Sequence, residues 1–195
     1  MLVGTILSQN TSAANSAAGL RQLKRSFRSW DRLADAPVSR IEKCIRVSGL
    51  SRIRAPRIRR ILRGLRGDRG EVDLEFLARW RPQRAAEYLM RFDGVGPKTA
   101  LCVLMFAFGM RVLPVDTHIY RVAGRLGLLA ARCSIEKAHL LLAPLVAPRD
   151  RYAMHLLVIA HGRQVCRARE PLCGRCVLAD LCRYGRQKRA RSAGA

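Results

Sequence analysis

The run Thr99-Ala100-Leu101-Cys102-Val103-Leu104-Met105-Phe106-Ala107-Phe108 carries no charge in a chain of which 26% of residues are charged. It predicts a helix buried on all sides, so other helices must be built around it. Before it, Pro82 to Phe92 is amphipathic, with Ala85, Tyr88, Leu89 and Phe92 at helical spacing. Asp93-Gly94-Val95-Gly96-Pro97-Lys98 joins the two. The glycines free the backbone for a tight turn and for close approach to a ligand. Pro97 suits the first turn of the second helix, where its missing N–H costs nothing. Amides at such a turn and helix start point outward with partial positive charge, and this makes a phosphate site. Lys98 stands at the mouth of the dry helix, where desolvation can remove part of a lysine's charge and leave a nucleophilic amine.

Helical periods recur along the chain and no strand alternation persists, so the expected class is all-α. Trp30 and Trp80 read as core anchors. Ser39-Arg40-Ile41-Glu42 fits a capping box. Between Arg52 and Arg69 stand eight arginines and one acid, with Ile58, Ile61, Leu62 and Leu65 as a buried stripe and Arg59, Arg60, Arg63 and Arg66 outward. With 37 basic residues against 14 acidic, the net charge of +23 calls for a polyanionic partner, nucleic acid first. The outward arginines are candidates for phosphate contact, which positions a protein without reading sequence. No apolar run approaches the roughly 20 residues that span a bilayer, so no membrane partner is expected. Met1 to Leu7 is too short for a secretory signal and lacks its basic start. Seven cysteines without such a signal point to reduced thiols or a metal site in the cytoplasm.

Further on, Asp116 is suited to cap a helix from Thr117 to Leu126. Segments Ser134 to Val146 and Asp150 to Ala160 read as two more helices, the second with Tyr152, Leu156 and Ile159 inward and His155 a core or interface histidine. Cys166, Cys173, Cys176 and Cys182 form a C-x6-C-x2-C-x5-C pattern. Four thiolates so close together hold a metal if they converge, and chemistry permits either a tetrathiolate zinc site or an iron–sulfur cluster.

Taken together, Gly94-Val95-Gly96, Lys98-Thr99-Ala100, Val115-Asp116-Thr117-His118 and the cysteine loop resemble the endonuclease III family of DNA glycosylases. The resemblance runs from about Gly4 to about Tyr184. It implies a two-lobed helix-hairpin-helix glycosylase fold with a [4Fe-4S] cluster on the four cysteines. A helical barrel would span 10–127, a cluster lobe 1–9 and 128–184, and a basic disordered tail 185–195. In that family the lysine matching Lys98 attacks the sugar C1′, and the aspartate matching Asp116 faces it across a groove and assists. Gln9 resembles the glutamine that enters the duplex, and Leu50 the leucine that wedges between bases. Gly94, Gly96 and His118 complete the expected DNA contacts. The implied activity is a bifunctional DNA glycosylase and abasic-site lyase that excises oxidised or reduced pyrimidines from duplex DNA, acting as a nucleoid-associated monomer. Two other readings remain open at this point: a monofunctional relative such as the adenine mismatch type, and a non-catalytic module that senses damage.

Overall fold

The computed structural model describes residues 1–193, and among these every regular element is helical. Contacts divide the chain into two compact units, Met1–Met110 and the chain from Arg111 onward. The first holds α1 (Leu2–Leu7), α2 (Ala13–Ser26), α3 (Trp30–Asp35), α4 (Val38–Ile45), α5 (Ser51–Arg69), α6 (Pro82–Met90) and α7 (Pro97–Phe108). The second holds α8 (Thr117–Leu126), α9 (Ile135–Leu142), α10 (Arg151–Gln164) and α11 (Arg183–Ala193). The resemblance would group residues 1–9 with the cysteine loop; in contact terms α1 packs on α2, α5 and α7 and belongs to the first unit.

In that unit α7 is the hub. Ala100, Val103 and Leu104 are fully buried, and Ile6, Leu7, Ile58, Leu65 and Leu89 complete the surrounding core. Burial on all sides does not extend to its last turn, where Phe106 reaches the surface. Ser12 and Ser29 cap α2 and α3 with their hydroxyls. The capping box expected at Ser39 does not form. Pro37 is at the cap position instead, and its carbonyl takes the N–H groups of Arg40 and Ile41, which draws Ser39 inside the first turn. Phe76, Trp80, Tyr88 and Phe92 make an edge-to-face set with centroids 5.2–5.6 Å apart, so Trp80 is a packing anchor as expected.

The inner stripe of α5 is buried as its spacing predicts. Two of its outer arginines also have partners within the chain. Arg66 makes a bidentate pair with Asp35, at 2.6 and 2.8 Å, and Arg63 donates to the Ala34 carbonyl at 2.9 Å. Both tie α5 to the end of α3, where the negative end of that helix and its carboxylate attract them.

The second unit packs Leu113, Val115, Ile119, Ala123, Ala138 and Leu142 into its own core. Along α10 the expected inward face holds only in part: Tyr152 and Leu156 are exposed, while Ile159 packs against this core and His155 is buried as expected, with Nδ1 2.9 Å from the Pro114 carbonyl. The irregular segment before α8 has polar backbone groups to satisfy, so it draws in an imidazole in place of an apolar side chain. The tail expected to be disordered is helical through Ala193. Arginine, glutamine, lysine and alanine are good helix formers, and no proline interrupts them. Its last residues, 194 and 195, lie outside the described residues.

Candidate functional site

In the first unit the hairpin between α6 and α7 is shaped by two local demands. Gly94 has φ +75°, and a Cβ there would lie 2.4–2.6 Å from Nε, Cζ and Cδ of Arg57. Arg57 therefore lies directly over the glycine, with Nε 3.5 Å from Asp93 Oδ2, and Arg60 Nη1 approaches the same oxygen at 3.1 Å. Gly96 caps α7 without a side-chain bond, and Pro97 takes the first helical position. Apart from its chain neighbours, no heavy atom lies within 4 Å of a Cβ at Gly96, so the hairpin is open to approach there. The first-turn N–H groups of α7 lack helical partners and face that open space. Lys98 follows at once, half-buried. Of the 37 basic residues only Lys24, Lys43, Lys98, Lys137 and Lys188 are lysines, and the other four are exposed.

Gln9 is beside this hairpin. Its Nε2 donates to the Gly94 carbonyl at 3.2 Å and to Thr99 Oγ1 at 3.1 Å, so its side chain turns to the hairpin. Leu50 is 53% exposed and left-handed, with φ +50°. That conformation costs a non-glycine residue about 1–2 kcal/mol, and surrounding structure must hold it.

In the second unit Asp116 caps α8, as expected. Oδ1 accepts the N–H of His118 at 2.9 Å and of Ile119 at 2.8 Å, so Oδ2 takes no part in the cap. The approach to Asp116 is held by two histidines, His155, expected as a core or interface residue, and His139, for which the sequence suggested no role. His139 Nδ1 accepts the Val115 N–H at 3.2 Å, and His155 binds Pro114. Burial lowers the pKa of His139, with the Leu113 backbone and Glu136 pulling the other way. His118 is half-buried, with Nδ1 3.1 Å from Arg121 Nη2.

The same helix holds the cysteine loop. Arg121 donates to the carbonyls of Gly162 (2.8 Å) and Cys166 (3.1 Å) and so clamps the loop to α8. Arg125 donates to Cys166 Sγ at 3.3 Å and to the carbonyls of Arg167 and Ala168 at 2.6 and 2.9 Å. The Gly185 N–H reaches Cys182 Sγ at 3.4 Å. Cys166, Cys173, Cys176 and Cys182 all line one cavity, whose other walls include Val122, Leu126, Val165, Leu172 and Leu178. Four unbridged thiols around an apolar cavity, two of them already receiving N–H groups, fit the four-thiolate donor set of an iron–sulfur cluster.

Residues 3–148 match the HhH-GPD superfamily of base excision DNA repair proteins, and residues 166–182 the iron–sulfur binding domain of endonuclease III. The chain belongs to the endonuclease III family. Endonuclease III of Sulfolobus acidocaldarius is 32% identical over 185 residues, covering 94% of this chain and 80% of that protein. Among solved structures, a non-covalent endonuclease III–DNA complex superposes with a TM-score of 0.83 at 29% identity, covering 97% of this chain and 84% of that one. A trapped covalent endonuclease III–DNA intermediate gives 0.82, again at 29% identity, over 96% and 84% of the two chains. In this family the cysteine loop carries a [4Fe-4S] cluster, and the four cysteines present are the set that would hold it. Sequence reasoning passed over Arg54, Arg57 and Arg125. Arg54 alone left a signal, since it shares the buried row of Ile58, Ile61 and Leu65.

Proposed function

We propose that Lys98 is the nucleophile of this endonuclease III-like enzyme, a DNA glycosylase with abasic-site lyase activity. The observation that carries this reading is a half-buried amine in the first turn of α7, beside hairpin amides open to a phosphate. A duplex phosphate binds the amides near Gly94 and Gly96, Leu50 enters the gap at the lesion, Gln9 braces the hairpin from the neighbouring loop, and His118 meets the backbone. The damaged nucleotide leaves the stack, since C1′ is out of reach within it. Lys98 Nζ attacks C1′ as the bond to the base breaks, and the base departs with its electron pair. The amine sheds a proton and the sugar ring opens to an imine. Loss of a C2′ proton then expels the 3′ phosphate by β-elimination, and water releases the enzyme. Asp116, with Oδ2 outside the helix cap, supports the developing positive charge and the proton transfers. The cluster takes no part in these steps; bound to the four cysteines, it would cross-link the loop. The substrates are oxidised or reduced pyrimidines, and the enzyme works on the chromosome in the cytoplasm.

The test is borohydride added during turnover on duplexes with single defined lesions. A reduced protein–DNA cross-link is expected with pyrimidine lesions, and Lys98→Ala should abolish it while binding survives. Base release without any cross-link would make the enzyme monofunctional, and binding without either would make it a sensor.

A further inference from the structure

Among the described non-glycine residues, three have positive φ: Asn10 at +49°, Leu50 at +50° and Glu170 at +24°. The first two are exposed and lie 40 residues apart in sequence, yet one side chain is bonded behind both. Arg54, 2% exposed, donates through Nη1 to the carbonyls of Ser48 (2.6 Å) and Gly49 (2.9 Å) and through Nη2 to the carbonyl of Gln9. Gly49 and Gln9 immediately precede Leu50 and Asn10. A carbonyl belongs to the peptide plane that enters the next residue, so holding that plane anchors the near side of the next residue's φ rotation. The two strained tips therefore have a common anchor.

The anchor is itself enclosed. Ser48 is fully buried, its hydroxyl donating to the Asn15 carbonyl at 3.1 Å. The Gln9 amide holds the hairpin at Gly94 and Thr99, so the loop carrying Asn10 is fixed at both its side chain and its carbonyl. All three acceptors of Arg54 are backbone oxygens, and a planar fork with two Nη groups spans both loops. A lysine has its donors on a single nitrogen and cannot bridge them in the same way.

We propose that Arg54 is a positioning residue that holds Asn10 and Leu50 as one rigid pair of probes entering the same lesion-bearing duplex. This rests on the glycosylase reading above. Gln9 is turned to the hairpin, so Asn10, next to it and exposed, is the side chain of that loop presented outward, in partnership with Leu50. A pair locked before binding spends no ordering cost on the DNA, and opening of the duplex becomes a concerted event.

Arg54→Lys tests this with the charge kept. Three readouts are needed: fluorescence of a 2-aminopurine beside the lesion, which reports opening of the duplex; single-turnover base release from that duplex; and borohydride trapping on a single-stranded abasic oligonucleotide, which needs no probe. The expected result is loss of most of the fluorescence response, base release slower by on the order of 10²-fold, and unchanged single-stranded trapping. Asn10→Gly with Leu50→Gly removes both tips and keeps the left-handed backbone. In that background Arg54→Lys should cost little further. A wild-type opening signal in Arg54→Lys, or a full additional loss in the glycine background, overturns the proposal. So does an equal loss of single-stranded trapping together with lost cluster absorbance, which would make Arg54 a folding residue only. If the unaltered enzyme neither releases base nor cross-links, the glycosylase reading itself is what has failed.

Discussion

Gly94→Ala is the substitution whose cost can be worked most directly from the hairpin. The left-handed backbone at φ +75° charges any L-residue about 1–2 kcal/mol. The new methyl would also stand 2.4–2.6 Å from three atoms of Arg57, which must move. Moving Arg57 loosens its approach to Asp93, a half-exposed pair worth at most about 1 kcal/mol. The sum is about 2 kcal/mol, which weakens binding roughly 30-fold if the hairpin relaxes away from its phosphate-binding shape. The assay is fluorescence anisotropy on a duplex carrying a non-cleavable abasic analogue, beside thermal unfolding of the free protein. Arg57→Ala separates the two contributions, since it clears space for the methyl but leaves φ unchanged. In that background Gly94→Ala should cost only the backbone share, a coupling of about 1 kcal/mol between the positions. Strict additivity would refute the close contact, and unchanged affinity and melting in the single variant would refute the whole account.

Asp116→Asn keeps an oxygen for the α8 cap and removes the charge, so base release should slow by about 10²-fold or more with little change in melting; Asp116→Ala should show the same kinetic loss plus about 1 kcal/mol of stability. His139 has its pKa lowered by burial, so the neutral ring is the form that fits. Stability should be flat above the ordinary value of 6.5 and fall as pH drops below it, and His139→Gln should flatten that dependence in pH-resolved melting. Arg125→Met deletes an N–H donor to Cys166 Sγ and two bonds to the loop backbone, so iron should pass to a chelator faster and the violet absorbance should fade sooner, measured on freshly loaded protein.

Features that a short stretch of backbone demands for itself were legible in the chain. The glycines and Pro97 at the head of α7, the Asp116 cap, the α8 bounds and the inner stripe of α5 all depend on neighbours within a turn or two. Features that depend on distant partners were not. Nothing near Arg63 or Arg66 in sequence reveals Ala34 and Asp35, and nothing near Gln9 reveals Gly94. The burial of His155 was foreseen, but not its partner, a carbonyl 41 residues away. The basic stretch at the end of the chain looked merely polyelectrolytic, since charge patterning conceals the helix propensity of the same residues.

The scarcity of lysine noted beside Lys98 bears on chemical selectivity. An opened abasic sugar is an aldehyde, and any unprotonated primary amine pressed against it can condense. A guanidinium holds its proton at every physiological pH and offers DNA the same charge without that reactivity. By placing 32 of its 37 positive charges on arginine, the protein can grip a reactive strand with a surface largely inert toward it. If Lys98 is the nucleophile proposed above, its half-buried amine then has few competing amines for the sugar carbon.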